Sequence, residues 1–189
     1  MATPHPKFIV GIGGSAGGLV AFKALLDALS PHTGMAFVIV SHILPSATSQ
    51  LADLLSRRTK MPVLVPATAM PILPNHVYVS PPNVDLQIKA YAFEVVSPRT
   101  RGNGEVDLFL TSLAEALGPR AIGIILSGWL SDGTEGCKHI KAKGGTTFAQ
   151  DKTAEVGAMS RNAQAAGHID YVMNPEKMAA KLKRLAKTV

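Results

Sequence analysis

A doubly wound α/β domain is the fold class this sequence predicts, with a mostly parallel sheet, helices on both faces and an antiparallel hairpin attached. Three observations carry that prediction. Short apolar runs are continuous rather than alternating, as in strands buried on both faces. Amphipathic stretches separate them, and a glycine-rich turn follows the first run. Lys7 to Ile12 is rich in β-branched residues and stops at glycines, so it predicts a buried strand. Leu19, Phe22, Leu25, Leu26 and Leu29 then share one helical face. Met35 to Val40 is the next strand, and Leu51, Leu54 and Leu55 mark the helix after it. Val63 to Val65, Val77 to Val79 and Ala121 to Leu126 supply further strands, while Asp85 to Val96 alternates as a hairpin. Asp107 to Leu117 reads as a helix stopped by Gly118-Pro119. A helix from about Gly133 to Lys143 leads to a strand at Thr146 to Ala149, followed by a small-residue segment without a predicted element. Tyr171 to Met173 is the last strand, and Pro175 opens the final helix with Asn174 as its cap.

Composition narrows the function classes. The 189 residues suit one domain spanning 1–189. Apolar residues make up 47% and charged residues 17%, which excludes intrinsic disorder and fits a sheet buried on both faces. Cys137 is the single cysteine, so an internal disulfide framework and a multi-cysteine zinc site are excluded. Its helical position reads as packing. No run reaches the ~20 apolar residues of a membrane-spanning helix. Glycines interrupt Phe8-Ile9-Val10 at once, so it reads as a strand rather than a leader, and a cytoplasmic chain without membrane insertion is expected. The formal charge of +6 suits an acidic partner, with Arg57, Arg58, Arg99, Arg101 and Arg161 as candidate contacts. Lys177, Lys181, Lys183, Arg184 and Lys187 read as a solvated helix face. Aromatic residues are only 5%, too few for base-stacking platforms, so nucleic acid is not an expected partner. His139 and His168 lack metal-ligand spacing, and neither metal nor organic cofactor is expected.

The most informative segment is Gly11-Ile12-Gly13-Gly14-Ser15-Ala16-Gly17-Gly18, between the first strand and the first helix. Gly11-x-Gly13-x-x-Ala16 fits a dinucleotide fingerprint, in which glycines admit a pyrophosphate to the helix N-terminus. Gly13-x-Ser15-x-Gly17 fits a nucleophile elbow, in which small neighbours expose a serine hydroxyl. A tight turn needing positive φ is the plain alternative. The second strand weighs against the dinucleotide reading. It ends in Ser41-His42, with neither the acidic residue that would hold a ribose nor an arginine for a 2′-phosphate. A histidine there suits a serine nucleophile, because carboxyl ends of neighbouring parallel strands meet at one crevice. Capping the strand end is its alternative role. Asp132 follows the strand Ala121 to Leu126 and supplies a carboxylate to orient the imidazole, or an N-cap for the following helix. The order Ser15, Asp132, His168 of α/β-hydrolases is rejected, because that elbow comes after several strands.

With these residues assembled, the chain resembles the catalytic domain of the chemotaxis protein-glutamate methylesterases, the CheB-type family, from roughly Lys7 to Leu185. The resemblance rests on Ile12-Gly13-Gly14-Ser15-Ala16-Gly17-Gly18, His42 with Pro45, and Pro74-Asn75-His76-Val77-Tyr78-Val79-Ser80-Pro81. Val106-Asp107-Leu108-Phe109, Ser127-Gly128 with Asp132-Gly133, and Met159-Ser160-Arg161 complete the ordered set. It implies a Ser15-His42-Asp132 triad that hydrolyses γ-glutamyl methyl esters on the cytoplasmic helices of chemoreceptors, with deamidation of receptor glutamines as a companion activity. Ala16, Trp129, Met159 and Arg161 become the oxyanion and substrate-binding candidates. Trp129-Leu130-Ser131 stands where the family usually has Met-Gly-Asn, so Trp129 is expected to reshape the pocket. Many members of the family carry an N-terminal receiver domain, and with the first strand at about Lys7 none is expected within these residues. The expected alternatives are an unregulated chain, one regulated by another chain, which makes a separate regulatory or methyltransferase domain a candidate partner, or a fragment of a fusion with a methyltransferase, whose methylesterase domains the turn most resembles. A hydrolase of the same fold with another ester or amide substrate, and a non-catalytic receptor-binding domain, are the alternative classes.

Overall fold

The structure, a computed structural model, describes residues 4–42, 50–100, 102 and 104–187. Pro45 and Arg101, singled out above, lie outside the described residues.

Seven parallel strands form the central sheet, in the order β3-β4-β2-β1-β7-β8-β9. They are β1 (Ile9–Gly14), β2 (Ala36–Ser41), β3 (Val63–Leu64), β4 (His76–Val79), β7 (Ala121–Ile125), β8 (Thr146–Gln150) and β9 (Tyr171–Met173). The central strands β1 and β7 are buried at every position, and β2 at all but its last. That explains their unbroken apolar character: each contributes side chains to two cores at once.

One core lies between the sheet and helices α1 (Gly18–Ala28), α2 (Leu51–Ser56) and α6 (Pro175–Leu185). Helix α1 buries Gly18, Ala21, Phe22, Leu25 and Leu26, the i, i+3, i+4, i+7, i+8 stripe of a helix lying on a sheet. Asn174 caps α6 as expected, its Oδ1 accepting the Lys177 N–H at 2.9 Å. The second core is covered by α3 (Glu105–Leu117), α4 (Thr134–Ala142) and α5 (Ala158–Ala165). Helix α5 occupies the small-residue segment that carried no sequence signal. Only Met159, Ser160 and Ala163 of it are buried, too few apolar positions to show a period. The hairpin β5 (Asp85–Lys89) and β6 (Ala92–Val96) forms its own two-stranded sheet and packs on α3 through Leu86, Ile88 and Phe93. Backbone hydrogen bonds also tie it to residues 69–72, where the Ala69 N–H donates to the Phe93 carbonyl and the Phe93 N–H to the Met70 carbonyl, but it does not join the ladder of the main sheet.

Strand β1 has β2 on one side and β7 on the other, both parallel to it, so the order in which strands are added reverses at β1. The crevice at the carboxyl ends of such neighbours is where doubly wound sheets bind ligands. Ser15 leaves β1 there, His42 leaves β2, and Asp132 follows β7.

Candidate active site

Register brings the serine and histidine together. Gly14 of β1 pairs with Ser41 of β2, so Ser15 and His42 occupy the next step beyond two adjacent strand ends. The Ser15 N–H donates to the Ser127 carbonyl at 2.9 Å, and the Gly18 N–H donates to the Ser15 carbonyl at 2.8 Å. Ser127, fully buried, braces the turn from below: its Oγ donates to the Ala16 carbonyl at 2.8 Å and accepts the Val156 N–H at 2.9 Å. The turn needs its glycines. Gly17 has φ 71°, and a Cβ there would meet the Ser127 Oγ at 2.6 Å. A Cβ on Gly128 would lie 2.6 Å from the Met159 Sδ and 3.1 Å from the Ser15 Cβ. Among the described residues the N–H groups of Ala16 and Gly17 have no hydrogen-bond partner. They lie just before α1, where the helix dipole favours negative charge.

His42 and Asp132 are in direct contact, with Nε2 2.6 Å from Oδ2. Burial acts to raise the Asp132 carboxyl, but hydrogen bonds from His42, Val106 and Asp107 outweigh it and hold the group below the ordinary carboxylate range. The ionised carboxylate can only accept, so Nε2 carries the proton and Nδ1 is the basic ring nitrogen. Among the described residues the Ser15 hydroxyl makes no hydrogen bond to that ring, an open geometry common before substrate binds.

Asp132 does not cap the helix that follows it, which corrects one of its two sequence readings. Gly133 occupies the N-cap of α4, while Asp132 reaches across to α3. Its Oδ2 accepts the Val106 N–H at 3.0 Å and its Oδ1 the Asp107 N–H at 2.8 Å. Helix α3 has Gly104 at its own N-cap, so it has no side chain of its own for those donors. Asp107 reciprocates: its Oδ1 accepts the Gly136 N–H of α4 at 2.7 Å. Each carboxylate therefore caps the other's helix.

The two carboxylates are driven apart in acidity. Burial pushes Asp107 up to about 6 despite the Gly136 hydrogen bond, and the charge on Asp132 adds to the rise. Folded Asp107 thus keeps its proton at pH values where the unfolded chain has lost it. Its contribution to stability falls as pH rises from about 4 to about 6. Asp107→Asn keeps an acceptor for Gly136 and removes this titration. The variant should gain stability relative to the unchanged chain across that interval, as urea unfolding at both ends would show. An equal difference at the two ends would contradict the assignment.

A residue absent from the sequence reading completes the cluster. Glu105, at the start of α3, places Oε2 3.4 Å from the His42 Nε2, and its other oxygen is ion-paired with Arg99. An acid in the first turn of a helix is ordinary dipole chemistry, so nothing local in the sequence marks it. His42, Glu105 and Asp132 each offer a ligand atom within 4.8 Å of the others, close enough for a cation site. Hydrogen bonds already account for the arrangement, because Nε2 is committed to Asp132 and both Asp132 oxygens accept backbone N–H groups. His139 and His168 lie outside this group.

The remaining candidates separate. Trp129 and Leu130 stand 61% and 59% exposed on the loop between β7 and α4, beside Asp132. Leu130 has φ 64°, and its carbonyl accepts the Asn162 Nδ2 at 2.7 Å. Met159 is fully buried beneath Gly128 and packs the floor of the turn rather than meeting solvent. Arg161 is exposed on α5, its guanidinium over Gly157. Among the described residues it makes no hydrogen bond or ion pair with Ser15, His42 or Asp132. Arg57 and Arg58 are ion-paired with Asp53 and Asp27. Lys181 lies over the Tyr171 ring. Cys137 is buried, and burial pushes its thiol up, so it is packing and not a nucleophile. A cavity of about 240 Å³ beside Ser15 is lined mainly by Leu19, Phe22, Leu51 and Leu54.

A doubly wound sheet with a serine turn at one strand end and a carboxylate-bound histidine at the next defines the class: an α/β domain equipped for hydrolysis. The model of the family described as CheB methylesterase matches residues 10–182. The chain belongs to the CheB methylesterase family. A relative from Leptospira interrogans is 34% identical over 178 residues, the match covering 92% of each chain. The protein-glutamate methylesterase/protein-glutamine glutaminase of Hydrogenovibrio crunogenus is 31% identical over 187 residues, covering 93% of this chain and 50% of that one. The crystal structure of the Thermotoga maritima CheB methylesterase catalytic domain superposes with a TM-score of 0.86 at 28% identity, covering 98% of this chain and all of the other. No helix among the described residues is long and apolar enough to cross a membrane.

Proposed function

We propose that this chain hydrolyses methyl esters on glutamate side chains of chemoreceptors, and deamidates receptor glutamines, with Ser15 as nucleophile, His42 as base and Asp132 as the carboxylate that orients the ring. The observation that carries this reading is the His42–Asp132 hydrogen bond at the sheet edge where β1 delivers Ser15.

The chemistry follows from the atoms available. Ser15 Oγ attacks the ester carbonyl while its proton passes to the His42 Nδ1, and Asp132 stabilises the imidazolium that forms. The oxyanion is received by the Ala16 and Gly17 N–H groups at the head of α1, each such donor typically contributing ~2.7–4 kcal/mol. Methoxide departs with the proton from His42, as methanol, leaving an acyl-enzyme. Water, deprotonated by His42, then releases the glutamate carboxylate and restores Ser15. A glutamine follows the same course with ammonia as leaving group. The leucine-rich cavity beside Ser15 suits the aliphatic part of the glutamyl side chain. The exposed Trp129-Leu130 tip supplies an apolar wall for the receptor helix around it.

The test is methanol release from methylated receptor membranes. The proposal expects release by the purified chain, and no release would leave a hydrolase with another substrate or a binding domain. A second chain, regulatory or methyltransferase, is proposed as a further partner. Assaying release with and without a candidate domain supplied in trans tests it.

A further inference from the structure

We infer that Glu105 is a second positioning carboxylate for His42, with Arg99 setting how strongly its charge acts on the ring; this rests on the Ser15–His42–Asp132 reading. The ring nitrogen Nε2 faces two acceptors, Asp132 Oδ2 at 2.6 Å and Glu105 Oε2 at 3.4 Å. One N–H cannot serve both fully, so Asp132 takes the hydrogen bond and Glu105 acts through its charge. The Glu105 carboxylate is itself fixed. Its Oε2 accepts the Gly104 N–H at 3.1 Å, its other oxygen pairs with Arg99, and its side chain is 10% exposed. Little water stands between charge and ring, so the interaction is weakly screened.

The consequence for the reaction is specific. When the Ser15 O–H bond breaks and the proton binds Nδ1, the ring becomes a cation flanked by two carboxylates. Both stabilise that state. The same attraction acts on the ring before Ser15 reacts, when the imidazole must still be free to accept the proton. Arg99 opposes this, because its guanidinium holds the far oxygen of Glu105 and cancels part of its field. The charged groups in contact with the ring or with its partners are Asp132 from the β7–α4 loop, Glu105 from α3, Arg99 from the segment after β6, and Asp107 behind Asp132. A purely structural Glu105 would serve only the N-terminus of α3, and its loss would change stability without moving a pH profile.

The experiment measures the rate of labelling of the full chain by a fluorophosphonate serine probe across pH. It reports on Ser15 and its base without any receptor substrate. Glu105→Gln should move the acid limb of the profile to lower pH, by about one unit for a charge at this distance. Arg99→Gln should move it to higher pH, because the Glu105 charge is then unopposed. Shifts of opposite sign support the proposal, and any other pattern overturns it. Should Glu105→Gln fail to fold, the direction of the Arg99→Gln shift decides alone. Ser15→Ala separates the two levels. If it is still labelled, the triad reading fails and this proposal with it. If it is unlabelled while the limbs stay in place, Glu105 alone loses its role.

Discussion

Ser15→Ala should lower methanol release by about six orders of magnitude, the scale of losing the nucleophile from a working triad. His42→Ala should cost about as much, and the double variant should be scarcely worse than either single one, because nucleophile and base act as a unit. Stability should hardly change. The Ser15 side chain is half-buried and makes no hydrogen bond among the described residues, so its removal leaves no orphaned partner and no core cavity. Thermal unfolding should therefore overlay that of the unchanged chain while the ester assay falls to background. A Ser15→Ala chain that kept release within tenfold would remove Ser15 from the mechanism.

Asp132 should behave differently, because it serves both catalysis and folding. Asp132→Asn keeps the shape but cannot fix the imidazole tautomer, and a loss of about 10⁴ in kcat is expected. Asp132→Ala should match or exceed that loss and also destabilise the fold by about 2 kcal/mol, since the N–H groups of Val106 and Asp107 lose their acceptor. The pH dependence has a definite sign. A carboxyl held below its ordinary value contributes stability that is present above the unfolded value and lost as pH falls through the folded one. The unchanged chain should therefore lose its advantage over Asp132→Asn in acid and show it in full near neutrality. Denaturant titrations of both chains at the two extremes would check this. An advantage that grew in acid would mean that Asp132 is not the paired carboxylate.

The two variants also mark where the sequence was legible and where it was not. Ser15 and His42 could be placed because each directly follows a short apolar run, and parallel strands deliver their carboxyl ends to one edge. The partner helix of Asp132 was not legible. A capping signal is read within a few residues of its own helix, whereas Asp132 and Asp107 cap α3 and α4 in exchange, 25 and 29 residues away along the chain. Glu105 was missed for a related reason, since its contact with His42 joins residues far apart along the chain. The hairpin was recognised from its alternation, but alternation does not say which surface it packs against. Helix α5 escaped because one buried face of Met159, Ser160 and Ala163 is too brief to register as a period.

The sequence by itself determined the parallel α/β class, the serine turn and the strand-end histidine, because these depend on local patterns of burial, glycine and chain direction. Low charge and continuous apolar runs are what a sheet covered on both faces requires, and the described strands β1, β2 and β7 meet that requirement. Only the tertiary structure decided which carboxylate holds His42, which second carboxylate stands behind it, and which arginine opposes that charge. Arg99 lies near Glu105 in the chain, but the two carboxylate contacts with His42 join elements brought together by packing, at 2.6 and 3.4 Å across more than sixty residues of chain. A local pattern carries no record of them.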